Sequence, residues 1–191
     1  MATQVFHKPN VIFIGHNKNA TTNVHRTLGT WWSKDGPQQK GLLGLPDPEI
    51  NADMPASEYR KRYPKHFIFT IVRNPYDRVL SLFTYRHRHN PETYPTFEGL
   101  VKDQKRHMIL PTQVSIINKN EACDFIARFE NLDMDMKKVG KIIGIKWSWP
   151  YSKTHSNRTS HGHYSEYYTE DMKDIVTDLY REDLKRFNYE Y

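Results

Sequence analysis

The sequence predicts an α/β fold, a three-layer sandwich with a central parallel sheet flanked by helices, and three observations carry that expectation. Two short apolar runs, residues 11–14 and 66–72, have the β-branched and aromatic make-up of strands covered on both faces. Each is followed by a turn and then by apolar residues at helical spacing. The order strand, turn, helix, strand, turn, helix pairs strands in parallel through crossovers. The 191 residues suit one domain, taken as 1–191.

In chain order, "VIFI" at 11–14 is the first strand. Residues 21–32 read as a helix, with Val24, Leu28 and Trp31/Trp32 on one stripe. Residues 33–57 are rich in Gly, Pro, Asp and Asn and read as loop, and 57–63 as a short helix. "HFIFTIV" at 66–72 is the strongest strand signal. Asn74 is then a good N-cap and Pro75 fits the first helical position, ahead of an apolar stripe of Leu80, Phe83 and Thr84. A polar loop at 88–96 precedes a helix at 97–107. Residues 124–132 read as a strand leading into a helix at 133–143. A long loop covers 147–164, a length usually kept for function. From Thr169, a cap with Glu170 and Asp171 in the first turn, a helix carries Met172, Val176, Leu179 and Phe187.

Hydrophobic residues make up 37% and charged residues 26%, enough for a packed core. The net charge of +6 favours anionic partners, though a solvated basic surface explains it as well. The single cysteine, Cys123, forms no internal disulfide and reads as a buried structural thiol. No apolar run is long enough for a membrane anchor, and the start, MATQVFHKPN, lacks a signal core, so the expected location is cytoplasmic.

Two strand-to-helix turns want an anion. After the first strand comes "GHNKNATT". A helix N-terminus there offers unpaired N–H groups and the positive end of a dipole. Lys18 adds charge, Thr21 and Thr22 add hydroxyls, and Gly15 and Ala20 leave room for a ligand. A plain capped turn with an exposed lysine fits that octapeptide equally well. After the second strand stands Arg73, with Ser81 about two helical turns on. An arginine forks onto phosphate and a serine completes the grip, but Arg73 could instead pair with Asp77. Two anion sites on one sheet edge suit a nucleotide phosphorylated at both ends.

These residues carry a family resemblance. "VIFIGHNKNATTNVHRTL" resembles the 5′-phosphosulfate loop of sulfotransferases, and "FTIVRNPYDRVLSLF" resembles their 3′-phosphate motif. "RFENLDMDMKKVGKIIGI" and "SNRTSHGHYSEYYTEDMKDIVTDLYREDLKRFNY" resemble later stretches of the carbohydrate-type branch. The ordered set covers most of the chain. The resemblance implies a P-loop-like fold and an enzyme using 3′-phosphoadenosine 5′-phosphosulfate (PAPS), with no metal. It implies sulfuryl transfer to a hydroxyl of a glycan or small molecule. Lys18 would donate to the leaving oxygen. Asn17, Asn19, Ala20, Thr21, Thr22 and Asn23 would hold the 5′ end, and Arg73 and Ser81 the 3′-phosphate. Arg158, in the late basic loop, is a second clamp or a solvated arginine.

The usual proline before the loop lysine is Asn17 here. Relatives often carry a histidine or acidic base between the two motifs. Asp53 is the first choice for that base and His16 the second, although an idle Asp53 is equally open. His87/His89 and His161/His163 are spaced by two, which puts neither pair on one helix face, so no metal is expected. Arg60, Lys61, Arg62, Arg86 and Arg88 could meet an acidic glycan or form a solvated face. A P-loop kinase would want a Gly-Lys-Ser/Thr ending that the first loop lacks. A nucleic-acid or polyanion-binding module has only the basic surface behind it, so no nucleic acid is expected. Acceptor identity and oligomeric state are not legible.

Overall fold

The computed structural model describes residues 3–29, 31–33, 36–39, 43, 54–117, 122–147 and 162–191. The elements run β1 (Thr3–His7), β2 (Asn10–Ile14), α1 (Thr21–Leu28), β3 (Trp31–Ser33), β4 (Gly36–Gln39), α2 (Ala56–Arg62) and β5 (Phe67–Val72). Then come α3 (Pro75–His89), α4 (Phe97–His107), α5 (Gln113–Ile117), β6 (Phe125–Arg128), α6 (Leu132–Ile143), α7 (Glu170–Leu179) and α8 (Arg181–Phe187). They fall into two compact units, Met1–Val72 with Ile116–Thr154, and Arg73–Ser115 with His155–Tyr191.

The first unit holds a four-stranded sheet in the order β1-β2-β5-β6. β2, β5 and β6 are parallel, as expected, with Ile14 opposite Thr70 and Val72 opposite Arg128. The sheet is not wholly parallel: β1 forms an antiparallel hairpin with β2. Alternate strand residues enter different clusters, as the two-residue side-chain period requires. Val11, Phe13, Phe69, Ile71 and Ala127 pack with α1 and α6 through Val24, Leu28, Met136 and Val139. Ile12, Ile14 and Ile68 pack with Ala56 and Tyr59 of α2 on the other face. Helices therefore cover both faces of the sheet. Asp124 fastens the start of β5, its carboxylate accepting from the Ile68 amide at 2.7 Å and from the Arg60 guanidinium.

One predicted helix is too long. α1 stops at Leu28, and Gly29 leaves it in an extended conformation. Trp31–Ser33 is then a strand paired with β4 inside the predicted loop. Cys123 is half-buried rather than buried, packing against the α2-side cluster.

The second unit is helical. Tyr76, Val79 and Leu80 of α3, Leu100 and Val101 of α4, and Met172 and Val176 of α7 share one core. Side-chain caps start all three helices. Asn74 accepts from the Tyr76 amide at 3.0 Å, Thr96 from Gly99 at 3.1 Å and Thr169 from Met172 at 3.4 Å. Pro75 opens α3 as its fixed φ allows. Among the described residues, no helix is long and apolar enough to cross a membrane.

Candidate functional site

The first turn is shaped by its backbone. β2 ends at Ile14, and α1 begins at Thr21. Lys18 at φ 69° and Ala20 at φ 57° both take the left-handed conformation, with Asn19 between them outside it. Alternation of this kind bends the main chain and can aim N–H groups at an anion, although the Asn19 amide is given to the His16 carbonyl. α1 has no side-chain cap and no acidic residue in its first turn, so its positive end is not neutralised locally. Two side chains hold the turn in place. Asn19 is fully buried and its Nδ2 donates to the Ile71 carbonyl of β5 at 2.7 Å. The Thr21 hydroxyl donates to the His16 carbonyl, which also accepts from the Asn19 amide at 3.3 Å.

The residues expected at the 5′ end differ in exposure. Asn17 is exposed, Lys18, Ala20, Thr21, Thr22 and Asn23 are half-buried, and Asn19 gives its side chain to the scaffold. His16 is enclosed, 1% exposed. Asp53 and Arg158 lie outside the described residues, as do Glu49, Asn51, Ser156, Asn157, Ser160 and His161. The donors of the turn, main-chain N–H groups with one ammonium, fit a phosphate or phosphosulfate group.

The second corner is shaped by side chains. Arg73 directly follows β5 and precedes the Asn74 cap of α3. Asp77 and Ser81, four residues apart, lie on one side of α3, and Arg73 just ahead of the helix reaches Asp77. Arg73 Nε donates to Asp77 Oδ2 at 2.8 Å, with the arginine side chain only 7% exposed. The pairing with Asp77 considered from sequence is thus real. That bond orients the guanidinium. Ser81 is buried.

Aromatic rings surround the Asn74 cap. Tyr76 meets Tyr164, Tyr168 and Tyr191 at centroid distances of 5.9, 5.6 and 4.9 Å. Asn74 Nδ2 donates to the Glu190 carbonyl at 2.9 Å and to the Tyr164 hydroxyl at 3.3 Å. Burial pushes the Tyr168 hydroxyl well above its ordinary range.

Several residues weighed from sequence turn out to be structural. Arg60 donates to the His66 carbonyl at 2.9 Å, to Ala122 at 3.2 Å and to Asp124, so it staples the sheet rather than greeting a ligand. Arg86 donates to the Tyr94 hydroxyl at 3.0 Å. His87 and His89 each bond a carbonyl, of Tyr94 at 2.9 Å and Tyr85 at 2.7 Å. Among the described residues, no three metal-ligating side chains gather.

The family model described as Sulfotransferase family matches residues 47–190, a span holding Arg73 and Ser81 but beginning after the first turn. The chain belongs to the sulfotransferase family and is an enzyme, a PAPS-dependent sulfotransferase. A protein of Archaeoglobus fulgidus, described only as an uncharacterized protein, is 32% identical over 100 residues, 48% of this chain and 83% of that one. Mouse sulfotransferase SULT7A1, solved in complex with PAP, superposes with a TM-score of 0.59 over 95% of this chain and 83% of its own. Identity is 14%, so that likeness is one of fold. A sulfotransferase from Alicyclobacillus acidocaldarius is 15% identical, with a TM-score of 0.46 over 91% of this chain and 92% of its own.

Proposed function

We propose that the chain, acting as a single sulfotransferase domain, moves the sulfuryl group of PAPS to a hydroxyl of a glycan or small-molecule acceptor. The first turn takes the 5′ end, with Lys18, main-chain N–H groups of residues 17–23 and the Thr22 hydroxyl as donors, while the Thr21 hydroxyl, expected to join them, is given to the His16 carbonyl and shapes the turn instead. Arg73 and Ser81 take the 3′-phosphate, joined by Arg158. The observation that carries the reading is the first turn. A helix start with neither acidic residue nor side-chain cap follows two left-handed residues, one of them a lysine.

Sulfuryl transfer asks little covalent chemistry of the protein. The residues place donor and acceptor in line and stabilise the charge that grows on the departing phosphate. Lys18 supplies that charge stabilisation. Asp53 takes the acceptor proton, with enclosed His16 as the second choice. A carbohydrate acceptor follows the branch resemblance of the later motifs. The lone Cys123, with no second cysteine to pair, suits a reducing cytoplasm. The first experiment is a thermal-shift titration with 3′,5′-bisphosphoadenosine and with ATP. A rise selective for the bisphosphate is expected; a rise selective for ATP with magnesium would replace this reading with a kinase.

A further inference from the structure

The second unit spends an unusual number of buried polar groups on one short segment, residues 110–114. Gln104 is fully buried, and its amide donates to the Leu110 carbonyl at 3.0 Å and accepts from the Leu110 N–H at 2.9 Å. The buried Tyr180 hydroxyl donates to that same carbonyl at 2.6 Å. Arg78, 1% exposed, donates to the Pro111 carbonyl at 2.8 Å. Asp183, fully buried on α8, accepts from the Gln113 and Val114 amides at 2.8 Å each and from Gln113 Nε2 at 3.3 Å. Its carboxylate caps α5 from seventy residues away, the anchoring that a local Ser or Asp gives other helices.

Buried polar groups cost stability unless bonded, and connections ordinarily run over the surface, where water serves them. Four clamps on five residues imply that something must be held still. The segment delivers one amide. Gln113 is fully buried, accepts from the Arg73 N–H at 2.8 Å and donates to the Arg73 carbonyl at 2.9 Å. A carboxamide has the donor and acceptor of a peptide, so Gln113 gives the Arg73 backbone the pairing a neighbouring strand would give. The backbone is fixed by Gln113, and Nε by Asp77. Both ends of the arginine side chain are thereby constrained.

We propose that Gln113, held by Asp183, is a positioning residue that aims Arg73 at the 3′-phosphate. This rests on the assignment of Arg73 above. The test is calorimetric titration of wild type, Gln113→Met and Asp183→Asn with 3′,5′-bisphosphoadenosine and with 5′-AMP, which lacks the 3′-phosphate. Wild type prefers the bisphosphate. In Gln113→Met that preference falls by about tenfold while 5′-AMP affinity holds, as displacement of a binding group by a fraction of an ångström should cause. A wild type with no preference overturns the Arg73 assignment itself. A wild-type preference retained in a folded Gln113→Met, or an equal loss for both ligands, overturns the positioning role alone. If Gln113→Met does not fold, Asp183→Asn decides. It keeps the shape but loses one acceptor, so a smaller fall of about threefold is expected, and an unchanged preference overturns the proposal.

Discussion

The turn around Lys18 and the corner at Arg73, the two corners proposed to hold the ends of one nucleotide, are built in opposite ways. The first is made of main chain. Two left-handed residues and an uncapped helix start create its positive concavity, and its side chains mostly tie the loop to the sheet. The second is made of side chains, an arginine whose guanidinium is held by the Asp77 carboxylate and whose backbone is held by the Gln113 amide. A backbone-built site depends on conformations that few residues adopt, so its sensitivity lies in local dihedrals and one charge. A side-chain-built site depends on partners far along the chain, so its sensitivity is spread over many positions.

The largest effect should come where the difference is sharpest. Lys18→Ala is expected to lower turnover by about two to three orders of magnitude, as loss of one preorganised donor does, while leaving the fold intact. Unchanged turnover would break the claim that the first corner does the chemistry. Arg73→Ala should act on binding instead. Affinity for bisphosphoadenosine should fall by about tenfold to a hundredfold, the worth of hydrogen bonds to a charged group, read by calorimetry. If Arg73→Ala loses turnover and keeps affinity, the division of labour between the corners is reversed.

Arg78→Met tests the spread of the second corner. Burial brings the Arg78 guanidinium down to about 10, still protonated at neutral pH. Its loss strands the Pro111 carbonyl in the interior, at roughly 1–3 kcal/mol of stability, measurable by urea unfolding. Ala20→Gly tests the first corner in the other direction. Alanine at φ 57° is strained and glycine is not, although glycine costs entropy in the unfolded chain. The variant should gain up to about 1 kcal/mol. A loss would mean the alanine methyl packs usefully there.

The same contrast governs what is legible from residues alone. β2 and β5 announce themselves because short, continuous apolar runs of β-branched and aromatic residues suit strands covered on both faces. Lys18 and Arg73 stand out as candidates because each is a cation between such a run and a helix start. The end of α1 misleads, since Trp31 continues the spacing of Val24 and Leu28, and only the extended Gly29 breaks it. β1 is a five-residue edge strand whose pattern is too short to stand out. Gln113 and α5 are invisible for a different reason. The cap of α5 is Asp183, and the partner of Gln113 is forty residues back, so no local signal exists. A glutamine in "PTQVSII" reads as a loop residue until the contact is seen.

The smallest prediction separates acid loss of the scaffold from acid loss of anion grip. His66 sits at the start of β5, the end of the strand remote from Arg73, with its Nε2 3.2 Å from His7 Nδ1 and beside the Tyr63 ring. Burial, then His7, then Arg60 hold its pKa below the usual 6.5. The folded chain therefore keeps this ring neutral at a pH where the unfolded chain protonates it. Its contribution to stability is complete above about pH 6.5 and is lost as pH falls through the lower folded value. Asp183 shifts the other way: burial raises its carboxyl above 3.8 against the pull of the Gln113 and Val114 amides, so its own contribution fades as pH rises through that raised value. Urea midpoints at pH 8 and pH 5 for wild type and His66→Gln isolate the histidine. Wild type should lose more stability across that interval than the variant. An equal loss in both would assign the acid sensitivity to groups elsewhere.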